Sequence, residues 1–262
     1  MTAFQALLLG VIQGLTEFLP VSSSGHLALA EQFLGLSIPQ QDLLGFDVLL
    51  HAATALALLL VYWRRWWAMV LAPLRSDGPN CRLLLSVIVA TVPAVIAGFL
   101  FERVIAEQFR SIESVAVALL GTAIVLLLSH FGRSTVTLER IGVLRPLVIG
   151  CAQALALIPG LSRSGLTIAS GQLVGVRRSD ALDFSFLMAF PAIVGASVLI
   201  SVEVWRGEMI LPQPETAFTG FVTSLLASVL AILFLRRFVA RHTLAWFAAY
   251  LIPVGVTLLL MQ

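Results

Sequence analysis

Gln13-Gly14-Leu15-Thr16-Glu17-Phe18-Leu19-Pro20-Val21-Ser22-Ser23-Ser24-Gly25-His26 cuts through an otherwise apolar region at 1–36. Pro159-Gly160-Leu161-Ser162-Arg163-Ser164-Gly165-Leu166-Thr167 interrupts a second one at 146–176. The flanking arms have about 12–20 residues each, whereas a membrane-spanning helix needs about 20. Proline lacks an amide hydrogen and clashes with the preceding turn, so it ends the first arm. Two apolar arms joined by a Ser- and Gly-rich break predict a re-entrant helix pair. Such backbone is tolerated at membrane depth only where it is buried in protein or lines a polar cavity. Displacing the chain by 140 residues sets Gln13 on Gln153, Leu15 on Leu155, Ser22 on Ser162, Ser24 on Ser164 and Gly25 on Gly165. The two breaks therefore read as one unit used twice.

The rest of the chain supplies the spans. Of 262 residues, 59% are hydrophobic and 11% charged, with a mean hydropathy of +1.01. A soluble domain carries about 25% charge, so the solvent here is bilayer. This composition excludes disordered, disulfide-scaffold and nucleic-acid-binding classes. Cys81 and Cys151 lie far apart in apolar surroundings and define no disulfide or metal framework. Met1 to Leu9 has no basic run and does not read as a cleaved signal peptide. Stretches free of Arg, Asp and Glu predict spans at 83–101, 114–132, 184–202, 216–235 and 243–262. A sixth is predicted at 43–63, with Asp47 near the interface.

The expected fold is thus an all-α polytopic membrane protein, a single domain over 1–262. It has six spans, two re-entrant pairs and two repeated halves, 1–132 and 146–262. Three spans per half is an odd number, so the second half enters the membrane inverted and the two polar tips meet near the midplane. Charge gives an independent orientation. All 16 basic residues are arginine. Placing Arg64, Arg65, Arg75 and Arg82 inside puts Arg133, Arg140, Arg145, Arg177, Arg178, Arg236, Arg237 and Arg241 there too. Only Arg103, Arg110 and Arg206 fall outside, beside Glu102, Glu107, Glu113, Glu203, Glu208 and Glu215. Both termini are then outside, and Trp63, Trp66 and Trp67 form an interfacial belt.

Arg163 is left over, at a re-entrant tip. An arginine at membrane depth costs at least ~2.5 kcal/mol and needs compensation. One reading is a structural ion pair with Glu17 at the other tip. The other is that its forked donors bind an anion, most naturally phosphate. Ser22-Ser23-Ser24 and Ser162/Ser164 are candidate helix N-caps, so two helix N-termini aim their N–H groups into one cavity. With Gly25 and Gly165 they form an anion cradle. Gln13 and Glu17 share one face of the first arm, and Ser23 and His26 lie a turn apart on the second. A hydroxyl near an imidazole and a carboxylate supplies a nucleophile, a base and an orienting or metal-binding group. His51, His130 and His242 lack such company and read as structural. An inverted-repeat transporter or flippase for an anionic or lipid-phosphate substrate would use the same cradle, with Glu17 as proton carrier.

The quoted segments strongly resemble the two motifs of the undecaprenyl-diphosphate phosphatase family, the bacitracin-resistance type. The resemblance covers essentially the whole chain and includes Asp183-Phe184-Ser185-Phe186-Leu187. It implies hydrolysis of undecaprenyl diphosphate to the monophosphate and inorganic phosphate, in the bacterial plasma membrane, with the site open to the outer, periplasmic face. Glu17 matches the family's essential second carboxylate, and Ser23 and His26 its proposed nucleophile and histidine. Ser162, Arg163 and Thr167 match its phosphate-binding motif. A divalent cation, Mg²⁺ or Ca²⁺, is implied, with Glu17 and more weakly Gln13 as ligands. Gln13 stands where many members carry Glu, which counts against a site built on two carboxylates. The implied partners are undecaprenyl diphosphate and membrane lipid, with a homodimer as a candidate assembly and no nucleic acid. Two chemistries stay open: attack by Ser23 activated by His26, and direct attack by water activated by His26 or Glu17.

Overall fold

The computed structural model describes residues 1–36, 40–109, 111–132, 135–206 and 212–261. Among these residues lie three short 3-10 turns and ten α-helices: α1 (Ala3–Phe18), α2 (Ser23–Phe33), α3 (Gln40–Leu71), α4 (Gly78–Gln108), α5 (Ile112–Leu128), α6 (Leu144–Leu155), α7 (Arg163–Leu173), α8 (Arg178–Trp205), α9 (Pro214–Val239) and α10 (Ala245–Leu260). Among the orientation charges, Arg110, Arg133 and Glu208 lie outside the described residues, as do the side chains of Glu102, Arg103, Glu107 and Glu203.

Among the described residues five helices are long and apolar enough to cross a membrane, namely Leu43–Leu71, Gly78–Phe101, Ile112–Phe131, Arg178–Val198 and Pro214–Val239. Side chains such as Phe99, Val95, Phe218 and Leu230 point outward from this bundle, as lipid-facing residues do. The protein is an integral membrane protein. The sixth expected span, 243–262, forms a helix of only 16 residues, about 24 Å at 1.5 Å per residue. Thr243 and Leu244 spend the first residues of that stretch on the entry turn, which shortens it.

Both apolar hairpins break where the sequence places the break. Leu15 accepts the last bond of α1 from Leu19, and the amide of Val21 turns back to Leu19 across Pro20 at 2.7 Å. Ser22 then caps α2 through a bond from the amide of Gly25. Its φ of 74° is unusual for a non-glycine residue and costs of order 1–3 kcal/mol. In the second hairpin Gly160 takes the positive φ (90°) at no such cost, and Ser162 caps α7 from a relaxed conformation through the Gly165 amide.

Helix contacts recur in equivalent pairs. The first arm α1 crosses α9, and its counterpart α6 crosses α4. Lipid offers no hydrophobic drive between helices, so such crossings rely on close backbone approach. Gly14 of α1 lies so near that a Cβ would sit 2.4 Å from the Ser224 carbonyl oxygen, and one on Gly150 of α6 would sit 2.3 Å from that of Ala90. The second arms differ. All of α7 from Ser164 to Gln172 except Ser170 is buried, against α5, α6 and α8, whereas α2 rests mainly on α1 and buries only Gly25 and Leu27. Trp63 and Trp67 are exposed as a belt requires. Trp66 is not part of it; its ring packs on Phe190 at 4.9 Å, because α8 covers that side of α3.

Candidate active site

The two tips meet. Ser164 Oγ donates to the Leu19 carbonyl (3.0 Å), and the Gly160 amide donates to Ser24 Oγ (3.4 Å). Arg163 Nη2 pairs with Glu17 Oε1. Thr122 of α5 holds the second tip by accepting the Ser162 amide at 3.0 Å. Beside this seam lies a cavity of about 230 Å³ with Thr16, Glu17, Ser23, Ser24 and His51 on one side and Ser162, Arg163 and the apolar Ala156–Leu161 turn on the other.

Glu17 organises the cavity. One carboxylate oxygen takes Arg163. The other accepts Ser23 Oγ at 2.6 Å and Gln13 Nε2 at 3.1 Å, with His51 Nε2 3.6 Å away. A carboxylate buried to this depth survives because each oxygen receives charged or polar donors. Arg163 Nη1 is buried without a partner, so one arm of its fork has no acceptor on the protein. Around the same space, the first-turn amides of α2 and α7 have no partner within their helices.

Three expectations are corrected by this geometry. Ser23 and His26 do not pair: Ser23 donates to Glu17, and His26 turns to the other side of α2. There its Nδ1 bonds the Ser22 carbonyl and its Nε2 the Tyr250 hydroxyl, both at 2.8 Å. A carbonyl can only accept, so Nδ1 carries the proton and neutral His26 accepts the O–H of Tyr250. Thr167 does not face the cavity. Its hydroxyl meets Ser185 Oγ at 2.6 Å and the Arg163 carbonyl at 2.7 Å, bracing the turn that carries Arg163. Ser22, Gly25 and Ser164 are likewise buried in the seam rather than lining the cavity, leaving Ser24, Ser162 and Arg163 of the expected cradle in contact with it.

His51 is the residue that sequence reasoning missed. It is an ionisable side chain well inside an apolar span, which is itself a signal of function. His130 and His242 do not line the cavity; the His242 ring stacks on Phe238 at 4.6 Å. Tyr250 and Thr122 had no sequence signal beyond being polar residues in apolar helices, while Ser185 lay in the Asp183–Leu187 segment of the resemblance without a role assigned to it.

A family model described as bacitracin resistance protein BacA matches residues 6–257. This chain belongs to the bacitracin resistance protein BacA family. It is 41% identical over 262 residues to the undecaprenyl-diphosphatase of Alcanivorax borkumensis, covering 98% of this chain and 97% of that protein. It is 43% identical over 256 residues to that of Rubrobacter xylanophilus, covering 94% and 93%. It is 38% identical over 261 residues to that of Desulforudis audaxviator, covering 99% and 97%. Family membership makes the cavity between the tips the candidate site of phosphate chemistry in this BacA-family chain.

A divalent cation meets an uneven donor set there. Among the described residues no three His, Cys, Asp or Glu side chains surround a common point, and Glu17 is the one carboxylate lining the cavity. Ca²⁺ takes six to eight oxygens, which this wall does not offer; Mg²⁺ keeps several waters and needs only one or two carboxylates plus substrate phosphate. The buried, unpartnered Oε1 of Gln13 is a spare oxygen on the amide that already touches Glu17. The residues therefore fit a Mg²⁺ ion shared with a phosphate ligand and do not fit an all-protein Ca²⁺ cage.

Proposed function

We propose that this protein hydrolyses undecaprenyl diphosphate to undecaprenyl phosphate and inorganic phosphate, returning the lipid carrier to cell-wall synthesis. The relatives' shared name supports the substrate. The observation that carries the reaction is the Glu17 carboxylate, which holds Arg163 on one oxygen and the Ser23 hydroxyl on the other. The terminal phosphoryl group enters between Arg163 and the N-termini of α2 and α7. Arg163 Nη1 and the free amides take its oxygens, where negative charge must be matched in the transition state. Ser23 Oγ attacks the terminal phosphorus and passes its proton to Glu17 Oε2, while the bond to the bridging oxygen breaks and undecaprenyl phosphate leaves. Glu17 gives that proton to the departing undecaprenyl phosphate and is a carboxylate again, so water, losing its proton to Glu17, then cleaves the phosphoserine and frees phosphate. A Mg²⁺ ion on Glu17 and Gln13 would supply further charge neutralisation. His26, locked between Ser22 and Tyr250, positions the tip.

The topology we propose has six spans, α10 included, with α1–α2 and α6–α7 as re-entrant pairs in inverted halves. Both termini and the catalytic cavity face the outer side, and the lipid tail leaves sideways through an apolar opening. The arginine distribution and the equivalent crossings of α1 on α9 and α6 on α4 support this arrangement. The test is phosphate release by the purified protein from undecaprenyl diphosphate in detergent micelles, with and without chelator. Micelles have no compartments, so a transporter releases no phosphate there, whereas the enzyme does. Full turnover in Ser23→Ala would replace the serine by water as nucleophile.

A further inference from the structure

A second, larger cavity of about 530 Å³ lies at the opposite end of α3. Arg64 and Arg65 are 13 and 14 residues beyond His51, which puts them about 20 Å further along the helix axis. The walls come from the end of α3, the start of α8, the end of α9 and the loop at 137–139. They carry four arginines, Arg64, Arg65, Arg177 and Arg236, against Glu139, Asp180 and Asp183.

The charges on this wall divide into committed and free groups. Arg177 Nε bonds Asp180 at 2.9 Å. Arg236 lies 3.6 Å from Asp183 and over the Tyr62 ring, and the Tyr62 hydroxyl donates to Asp183 at 2.6 Å. Asp183, from the segment Asp183–Leu187, is thus the anchor of this second site. Arg64 and Arg65 have no carboxylate within 4 Å among the described residues; Arg64 stacks on Trp63 instead. Thr137 Oγ1, on the same wall, is buried with no partner. A polar cavity with two guanidinium groups that have no carboxylate partner among the described residues, against the one remaining carboxylate Glu139, and with an idle buried hydroxyl is matched to a compact anion. The exposed rings of Trp63 and Trp67 beside it mark the membrane–water boundary, the depth of a lipid headgroup.

We propose that this cavity binds a terminal phosphate group, separately from the catalytic site and about 20 Å from it, with Arg64, Arg65 and Thr137 as its ligands. Two sources share that chemistry: the headgroup of an anionic membrane lipid and free phosphate. The test uses the full-length protein in nanodiscs containing phosphatidic acid or only phosphatidylcholine, and in detergent with inorganic phosphate, with bound ligand read by native mass spectrometry. Retention of phosphatidic acid at least tenfold above phosphatidylcholine, lost in the Arg64→Gln/Arg65→Gln double variant, supports the lipid arm. Retention of inorganic phosphate with the same loss supports the free-phosphate arm. An unchanged melting temperature shows that the double variant is folded, and Arg64→Lys/Arg65→Lys should recover part of the binding. Arg241→Gln, outside the cavity, should bind as the parent does. Equal loss in Arg241→Gln, retention unchanged in the double variant, or a parent protein that neither prefers phosphatidic acid nor retains inorganic phosphate overturns the proposal.

Discussion

The helix pairs α1–α2 and α6–α7 carry the same Ser-x-Ser-Gly break, yet they are built differently. The second pair is a platform. Its helix α7 is buried almost throughout, its turn uses a relaxed glycine, and Thr122 of α5 and, through Thr167, Ser185 of α8 fix it from two directions. The first pair carries Glu17 and Ser23 on a strained turn at Ser22, and α2 is covered mainly by α1. Equal sequence breaks have therefore diverged into one fixed arm that presents a cation and one less covered arm that presents the reactive groups.

Substitutions can sharpen or break that contrast. The largest effect is expected at the ion pair that joins the two tips. Arg163→Lys keeps the charge but loses the fork, so kcat/KM should fall at least ~100-fold; phosphate release measures it. His51→Asn removes a neighbour of Glu17 without touching the ion pair, and a loss of about tenfold in turnover is expected, on the scale of one auxiliary polar contact. On the platform, Thr167→Val strands the Arg163 carbonyl and Ser185. It should cost about 1–3 kcal/mol of stability and lower turnover through Arg163, and Lys at 163 should mask the second effect. Gly160→Ala and Gly25→Ala compare the turns themselves. At Gly160 a Cβ would meet the Val115 carbonyl at 2.7 Å in a left-handed conformation, whereas at Gly25 the nearest atom is Val115 Cγ1 at 3.2 Å. The melting temperature should drop by several degrees in the first and by less in the second; the reverse order would contradict the platform reading. Tyr250→Phe should be mildest, below about threefold in turnover, because His26 retains its bond to Ser22.

Much of this was legible in the chain. Pro20 and Pro159 mark the breaks, Ser22 and Ser162 cap the helices that follow, and Arg163 and Glu17 pair across the seam, all from local rules about caps, proline and membrane-depth charge. Two things were not. Side-chain direction at a helix start depends on neighbours from distant segments: Ser23 and His26 are a turn apart in sequence, but Glu17 captures one and Tyr250 the other. Likewise Thr167 looks like a phosphate ligand by motif until Ser185, from α8, claims its hydroxyl. His51 was legible and overlooked, since a histidine inside an apolar span carries the same cost that singled out Arg163. The sixth span was expected at full length because apolarity continues from 243, but helix start is set by the turn at Thr243–Leu244, which hydropathy does not report.

The central claim is that both arms form one catalytic unit through Glu17 and Arg163. It is tested most directly by phosphate release from undecaprenyl diphosphate in detergent by the parent protein, Glu17→Gln, Arg163→Lys and the double variant, each confirmed as folded. Residues that act as a unit are non-additive. Each single change should cost at least ~100-fold, on the scale of a lost transition-state donor, and the double variant should be scarcely worse than either. Losses that multiply in the double variant, or near-parental turnover in either single variant, would contradict the account.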